Sequence, residues 1–346
     1  MTLQNSPIVS VVMPIFCHSE TQLITAINSI LNQTFKDLEL IIVDGRLDNQ
    51  NFNIISALND PRIKYFKTKG YINCLNFGIQ QAKGKYIARM DSDDISYPNR
   101  IEEQVKFLDN HPDISLCSCL VEFFGDTSKK YSQHTYDINN LFNLIKQCEF
   151  IHTAMMFRSS LNLHYDNIKP LEDCLLFRKL MLAGHKFAII DKIMLKSYHS
   201  TTSIMAKHPR LMQLYMSKIN LYALLKYCHI DLTFADNIFS KKYFRQNEII
   251  ELLTALFSMQ DALQQHQLKI LKIAHPYFLY LMSKTKNKYF LFKNKVFYQT
   301  YFKFYAHKII KKFLTNIFSV TNKYIQTSTA KLKKKVICIL GLKITL

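Results

Sequence analysis

The feature that most constrains the fold of this chain is a short apolar segment that ends in three carboxylates. Residues 85–94 read KYIARMDSDD, and the apolar residues before Asp91 are typical of a strand buried in a sheet. Asp91 would therefore leave the sheet at the carboxyl end of a strand, where open α/β sheets bind their ligands. Asp93 and Asp94 follow at once, so this edge of the predicted sheet carries a dense negative charge.

The spacing of Asp91 and Asp93 suits a divalent cation. Only the small Ser92 separates them, so both carboxylates can approach one hard cation, Mg²⁺ or Mn²⁺, beside a phosphate. The alternative is an acidic turn that is merely solvated, which is the commoner meaning of an isolated Asp-x-Asp. The flanking sequence has to distinguish between the two.

Strands and helices alternate around the carboxylates. Residues 8–15 (IVSVVMPI) and 39–44 (ELIIVD) are apolar, β-branched runs that predict strands. Apolar residues at helical spacing over 21–31 predict a helix between them. We expect further helices that begin near Gly70, Pro98 and Glu172, and further strands over 63–66 and 114–124. This order predicts the α/β class.

Four ordered segments resemble the nucleotide-sugar-binding half of family 2 inverting glycosyltransferases, which have the GT-A fold. The segments read SVVMPIF, SILNQTFKDLELIIVDG, KGYINCLNFGIQQAKGKYIARMDSDD and PNRIEEQVKFL. The resemblance runs through residues 7–125 and resumes over 150–205. It implies a GT-A (Rossmann-like) mixed sheet flanked by helices over residues 1–205, with a donor half at 1–125 and an acceptor half at 126–205.

The resemblance implies a set of residues that bind the nucleotide sugar. They are Pro14, Phe16, Asp44, Asn76, Asp91, Ser92 and His199, and Asp91 and Asp93 would also hold Mg²⁺ or Mn²⁺. The sequence departs from the family pattern twice, since residues 44–48 (DGRLD) and 198–203 (YHSTTS) are both shorter than usual. The first departure leaves the base preference open, and the second leaves the register of His199 open. Asp44 could instead cap a helix or turn.

The second half of the predicted site begins a helix. Glu172 and Asp173 stand at the N-terminus of an apolar-faced helical segment, where acidic residues are ordinarily structural because they match the helix dipole. The resemblance implies instead that Asp173 is the general base and that Glu172, His152 and Arg158 lie on the acceptor side. For His152, a buried structural histidine is the alternative.

These residue types fit a direct displacement. A divalent cation would stabilise the charge that develops on a diphosphate leaving group, and Asp173 would take the acceptor hydroxyl proton on the opposite side of the anomeric carbon, so the configuration inverts. The resemblance implies transfer of a hexosyl or N-acetylhexosaminyl group, with a UDP-sugar as the expected donor. The expected acceptor is a glycan or lipid-linked glycan in bacterial surface-polysaccharide or lipooligosaccharide synthesis.

Two other function classes stay open. One is a catalytically inactive scaffold that binds a nucleotide sugar. The other is a basic nucleic-acid-binding protein, because basic segments with interleaved aromatic residues also bind phosphate backbones. The sequence shows no recognised nucleic-acid-binding module, so we expect no nucleic-acid partner.

The positive charge is concentrated in the last part of the chain. Of the 45 Lys and Arg residues 24 follow residue 205, against 5 of the 26 Asp and Glu residues, so residues 206–346 carry the whole net charge of +19. We predict that this basic, aromatic-rich region is mainly helical and forms a separate domain. Residues 301–320 place aromatic and aliphatic side chains on one helical stripe, and residues 331–340 repeat the combination of Lys and apolar residues.

A basic amphipathic helix of this kind lies on anionic membranes. We therefore expect a cytoplasmic protein that is peripherally attached to the inner face of the cytoplasmic membrane, because the N-terminus lacks a signal-peptide pattern and no long apolar segment occurs. A soluble helical bundle is the alternative. The eight cysteines lack the paired spacing of a zinc site, which indicates reduced, mostly buried thiols.

Overall fold

The computed structural model describes most of the chain up to residue 232. The described residues are 6–16, 18–46, 48, 50–126, 131–132, 137–146, 150–201, 207–230, 232, 248, 251, 255, 336–339 and 342–345.

Strands and helices alternate along the first half of the chain. The strands are β1 (Val9–Ile15), β2 (Leu38–Asp44), β3 (Ile63–Lys67), β4 (Tyr86–Arg89), β5 (Ile95–Ser96), β6 (Ile114–Gly125), β7 (Met156–Arg158), β8 (Lys186–His199), β9 (Val336–Ile339) and β10 (Leu342–Thr345). The helices are α1 (Glu20–Leu31), α2 (Gln50–Ser56), α3 (Tyr71–Gln81), α4 (Arg100–Asn110), α5 (Leu141–Lys146), α6 (Glu172–Leu182) and α7 (Pro209–Tyr227).

Eight strands form one mixed sheet in the order β3-β2-β1-β4-β7-β6-β8-β5. The first four are mutually parallel, β7 is antiparallel to both β4 and β6, and β8 runs parallel to β6. Every residue of β1 and β2 is buried, as expected of parallel strands covered by helices on both faces. The predicted α/β class, with a mixed sheet flanked by helices, is confirmed.

Helices α1 and α3 show how the sequence fixes the layers. Ser19 caps α1 in a capping box with Gln22, and the helix buries its apolar face, which consists of Leu23, Ala26, Ile27, Ile30 and Leu31. Helix α3 packs on β1 and β2 through Gly78. A Cβ atom at that position would stand 2.5 Å from Val12 Cγ1, so the close approach of α3 to the sheet requires glycine.

The region after residue 205 begins with a helix, as predicted. Helix α7 packs on α6 through a small apolar cluster of Leu171, Cys174, Leu175, Met212 and Ile219. The chain divides into two compact units at residues 1–285 and 286–346. The domain change predicted near residue 205 stays a prediction.

The described residues at the end of the chain are strands, within a region that is predicted to be mainly helical. Strands β9 and β10 pair antiparallel, with Val336 opposite Thr345. Both strands contain β-branched residues, which favour this conformation. The predicted stripe over 301–320 lies outside the described residues. Within the described part of the chain, the helices are too short or too polar to cross a bilayer.

Arg100, at the start of α4, joins the two halves of the sheet. It is fully buried, and its Nη2 donates to the backbone oxygen of Arg89 at 2.7 Å and to that of Thr153 at 3.1 Å. Arg89 ends β4, whereas Thr153 lies in the short helix (His152–Ala154) that leads into β7. The guanidinium therefore holds together the loops from which the site is built.

We predict that Arg100→Leu lowers the free energy of unfolding by about 3 kcal/mol, because it leaves two buried carbonyl groups without a donor. Arg62→Leu is the matched control, since Arg62 forms a partly exposed ion pair with Asp60 and its loss costs about 0.5 kcal/mol. Urea unfolding followed by circular dichroism measures both. Equal losses in the two variants would contradict the role given to Arg100.

Candidate active site

The carboxyl ends of three neighbouring strands meet at one edge of the sheet. Phe16 follows β1, Asp44 ends β2, and Asp91 comes two residues after β4. Because these strands are adjacent and parallel, the three residues share the edge at which open α/β sheets bind ligands.

The three carboxylates after β4 have different surroundings. Asp94 is buried and accepts hydrogen bonds from the Thr153 hydroxyl at 2.6 Å and from the Tyr198 N–H at 2.8 Å. The Asp91 N–H donates to Thr153 Oγ1 at 3.1 Å, so the same hydroxyl holds the backbone of the turn. Asp91 has 36% of its side chain exposed and Asp93 is half-buried. Asp94 thus supports the turn, while the side chains of Asp91 and Asp93 are partly open to solvent.

Arg89 is the buried cation of this site. Its Nη2 donates to Asp91 Oδ1 at 2.7 Å and to the Tyr71 hydroxyl at 2.9 Å, and its Nη1 donates to the Met90 carbonyl. The side chain is 2% exposed. A buried arginine with a carboxylate partner carries its charge permanently, and this charge acts on every titratable group nearby.

The pKa values of the carboxyl groups reflect this arrangement. Burial and the charge of Asp91 together raise the pKa of Asp93 to about 6 and that of Asp94 to about 7. Burial acts in the same direction on Asp91, but the charge of Arg89 and the hydrogen bonds from Arg89 and Thr153 oppose it, and the pKa of Asp91 stays below its usual range. Asp91 is therefore the permanently ionised member of the cluster.

Two carboxyl groups of the predicted acceptor half also affect the electrostatics of the site. Glu172 and Asp173 begin α6, and burial together with the charge of Asp173 raises the pKa of Glu172 to about 7. The pKa of His152 depends on charges from both halves. Burial and the charge of Arg89 lower this pKa to about 4, whereas the charges of Asp173 and Asp91 act in the opposite direction. The imidazole is neutral at pH 7, and the charges of both acidic groups act on it.

Two comparisons of sequence establish the family. A family model described as Glycosyl transferase family 2 matches residues 10–165. An uncharacterized glycosyltransferase of Methanocaldococcus jannaschii is 32% identical over 208 residues, which cover 56% of this chain and 71% of that protein. The chain belongs to glycosyltransferase family 2. An uncharacterized glycosyltransferase of Haemophilus influenzae is 39% identical over 126 residues, and the match spans 38% of that protein.

Solved structures agree with this glycosyltransferase in fold. Staphylococcus aureus TarS 1-349 in complex with UDP superposes with a TM-score of 0.52 at 18% identity, over 82% of this chain and 89% of that chain. The same protein in complex with UDP-GlcNAc gives a TM-score of 0.50 at 17% identity. At this identity the likeness shows the fold alone. The predicted GT-A architecture is confirmed.

The residues of this glycosyltransferase fit a divalent cation whose remaining ligands would come from the substrate. No cluster of three or more His, Cys, Asp or Glu ligands exists among the described residues. Asp91 and Asp93 nonetheless supply carboxylate oxygens, and a cation would offset the charge of Asp91 that, after burial, raises the pKa of Asp93. Mg²⁺ is commonly held by one or two carboxylates together with phosphate oxygens, and this pair matches that pattern.

Asp44 ends β2 at the same edge of the sheet, and its carboxylate already accepts hydrogen bonds from protein groups. It is fully buried and accepts from Arg46 N at 2.8 Å, from Asn51 Nδ2 at 3.0 Å and from the Tyr65 hydroxyl at 2.8 Å. These bonds give it the turn-holding role that the sequence left open. A direct contact between Asp44 and a donor stays a prediction.

The remaining residues of the β1 loop connect the donor edge to the acidic cluster. Pro14 is buried within β1, and the half-buried Phe16 packs its ring 5.6 Å from that of Tyr71. His18 lies 3.3 Å from Ser92 Oγ through its Nδ1, and 3.3 Å from Asn51 Oδ1 through its Nε2. Ser92 is therefore oriented by the loop at the end of β1.

Two predicted site residues, Asn76 and Arg158, have side chains that are hydrogen-bonded to backbone groups of the protein. The Asn76 amide donates to Tyr165 O at 2.9 Å and accepts from Tyr165 N at 2.8 Å, which clamps the loop before α6 onto α3. Arg158 donates to the carbonyl oxygens of Ile114 at 3.0 Å and Leu108 at 2.7 Å. Arg158 lies opposite Tyr86 at the start of β4, the end remote from Asp91, and its place on the acceptor side stays a prediction.

His199 ends β8 near the cluster. It is exposed, and its neighbour Tyr198 donates its N–H to Asp94. A contact of His199 with the donor stays a prediction.

Three groups that build the site are not among the predicted site residues, namely Arg89, Thr153 and the pair Tyr71 and Tyr165. Tyr165 is buried, and its hydroxyl lies 2.6 Å from His152 Nε2. Arg89 had a sequence signal, because a cation inside an apolar strand requires a buried anionic partner. The other residues had none, since their roles depend on contacts between distant segments.

Proposed function

We propose that this protein transfers a sugar from a nucleotide sugar to an acceptor hydroxyl with inversion of configuration, in a metal-dependent reaction. The observation that carries the proposal is the convergence of two carboxylate groups on one imidazole. Asp91 from the donor half and Asp173 from the acceptor half both act on the pKa of His152. An inverting transferase needs anionic groups of these two kinds on opposite sides of the anomeric carbon.

Asp173 is the proposed general base. Its Oδ1 accepts the Cys174 N–H at 2.8 Å, which orients the carboxylate at the start of α6. The acceptor hydroxyl gives its proton to Asp173, its oxygen forms the new bond to the anomeric carbon, and the bond to the diphosphate oxygen breaks with its electron pair on the leaving group. Direct displacement requires no nucleophile from the protein.

Asp91 and Asp93 are the proposed metal ligands, and a bound Mg²⁺ or Mn²⁺ would neutralise the charge that develops on the diphosphate. Arg89 keeps Asp91 ionised and holds its Oδ1, so Oδ2 is the oxygen left for a ligand. Glu172 and His152 line the side from which the acceptor would approach Asp173. The neutral imidazole can orient a hydroxyl without competing for its proton.

We further propose a UDP-sugar donor and a hexosyl or N-acetylhexosaminyl group. The support is the likeness in fold to TarS, whose structures hold UDP and UDP-GlcNAc. The proposed acceptor is a glycan or lipid-linked glycan of a bacterial surface polysaccharide or lipooligosaccharide. An inactive nucleotide-sugar-binding scaffold is the second candidate, and it would bind the donor without turnover.

The basic C-terminal region is proposed to attach the enzyme to an anionic membrane surface at the cytoplasmic face. The support is the charge distribution, since residues 206–346 carry 24 basic and 5 acidic residues. Each Lys near an anionic surface contributes about 1 kcal/mol to binding.

We predict that the full chain cosediments with vesicles containing anionic lipid and that added salt weakens this binding, because charge attraction is screened over about 8 Å at physiological ionic strength. Vesicles of neutral lipid are the control. Equal binding to both kinds of vesicle would contradict the proposal, and selective capture of nucleic acid would favour the basic nucleic-acid-binding class.

We predict that Asp173→Asn lowers the rate of transfer by a factor of about 10² to 10⁴ while the affinity for UDP changes less than about threefold, because the general base contributes to the transition state and not to donor binding. Asp166→Asn, which removes an exposed partner of Lys179, is the control and should keep both values. The rate of transfer is measured from released UDP and the affinity for UDP by calorimetry, both in the presence of Mn²⁺.

We predict a different loss for a substitution at the proposed metal site. Asp93→Asn should lose most transfer activity, and the activity that remains should no longer depend on added Mn²⁺. A wild type that binds UDP but turns over no donor with any acceptor hydroxyl would favour the inactive scaffold. Full transfer by Asp173→Asn would show that the base is another group.

A further inference from the structure

We propose that Lys169 is a positioning residue that binds the diphosphate of the donor and thereby ties the loop carrying Glu172 and Asp173 to the donor half. This inference rests on the proposed function and adds a residue to it. Neither the family motifs nor the acidic clusters identify Lys169.

The ammonium group of Lys169 stands over two aromatic rings of the donor half. Its Nζ is 4.6 Å from the ring centre of Tyr71 and 5.8 Å from that of Phe16. The residue itself belongs to the acceptor half and precedes Glu172 by three positions. The side chain is exposed, so it reaches across the mouth of the site from one half to the other.

The loop that carries Lys169 is anchored on both sides. Asn76 of α3 makes two hydrogen bonds to the backbone of Tyr165, at 2.9 and 2.8 Å. At the other end, Leu171 takes a left-handed conformation with φ of 74° and begins α6. Both ends of the loop are therefore defined by the fold, and the position of the ammonium group depends on the conformation of the Lys169 side chain.

Electrostatics distinguish Lys169 from the other cation of the site. Burial raises the pKa of Glu172, and the charges of Arg89 and Lys169 both act against that rise. Arg89 already donates to Met90, Tyr71 and Asp91. Within the described part of the chain, Lys169 has ring contacts but neither a hydrogen bond nor an ion pair. Its three N–H donors are free for an incoming anion.

The charge balance indicates what that anion is. The described carboxyl groups around the site include Asp91, Asp93, Asp94, Glu172 and Asp173, so the site is already rich in acidic side chains. A diphosphate adds further negative charge to this space. A divalent cation offsets part of it, and an uncommitted ammonium at the mouth offsets more.

The location favours the diphosphate over an acidic group of the acceptor. The Phe16 ring beneath Lys169 packs against Gly45, the residue after Asp44 at the end of β2. The other ring belongs to Tyr71, whose hydroxyl accepts from Arg89, the partner of Asp91. Lys169 thus lies between the end of β2, where the base is expected, and the carboxylates at which the sugar would react. The diphosphate is the part of a nucleotide sugar that spans this interval.

The test compares a nucleoside diphosphate with its nucleoside. Calorimetry in Mn²⁺ first determines whether the wild type binds UDP or GDP more tightly. Binding of the matching nucleoside, uridine or guanosine, is then measured by ligand-observed NMR. Lys169→Met keeps an apolar chain over the rings and removes the charge. Lys169→Arg restores the charge, and Lys179→Met removes an exposed charge after the same loop as the matched control.

We expect Lys169→Met to weaken diphosphate binding about tenfold, a loss of about 1.4 kcal/mol, and to leave nucleoside binding unchanged. Lys169→Arg and Lys179→Met should stay within about threefold of the wild type, since an exposed ion pair contributes little. Unchanged diphosphate binding in Lys169→Met would overturn the inference while leaving the proposed function intact. An equal loss for the nucleoside would also overturn it, by showing that Lys169 only supports the rings. A wild type that binds neither diphosphate would refute the donor assignment itself.

Discussion

The buried ion pair between Arg89 and Asp91 is the interaction on which the rest of the site depends. Arg89 is 2% exposed, and its guanidinium also donates to Tyr71. A charge in this position requires an anionic partner, since the loss of either member would leave an uncompensated charge inside the protein. The pair therefore fixes the direction of Asp91 and keeps it ionised among carboxyl groups whose pKa values are raised.

The order of the sheet explains how segments far apart in the chain meet at this pair. Strand β7 inserts antiparallel between β4 and β6, which brings Thr153 and His152 beside the turn that follows β4. Arg100 then links the backbone of Arg89 to that of Thr153. The donor edge is built by parallel strands, and the acceptor side is added by an antiparallel strand and the loop that leads into α6.

The sequence was sufficient for the parts of the site that depend on local pattern. An apolar run ending at Asp91, and an acidic pair that begins an apolar-faced helix, place these groups at a strand end and a helix start without further knowledge. Contacts between distant segments could not be predicted in this way. The antiparallel register of β7 places Arg158 opposite Tyr86, at the end of β4 remote from Asp91. Asn76 clamps a loop that no periodicity could place, and β9 and β10 are strands within a region that the sequence predicts to be mainly helical.

The central claim is that both halves of the sheet contribute to a single nucleotide-sugar site that needs a divalent cation. Thermal unfolding of the full chain with a panel of UDP- and GDP-sugars, with and without Mn²⁺, tests it most directly. The account predicts that at least one sugar nucleotide raises the melting temperature, that Mn²⁺ enlarges the shift, and that Asp91→Asn removes the Mn²⁺-dependent part. The absence of any shift across the panel, or a shift that is independent of Mn²⁺ and Asp91, would contradict it.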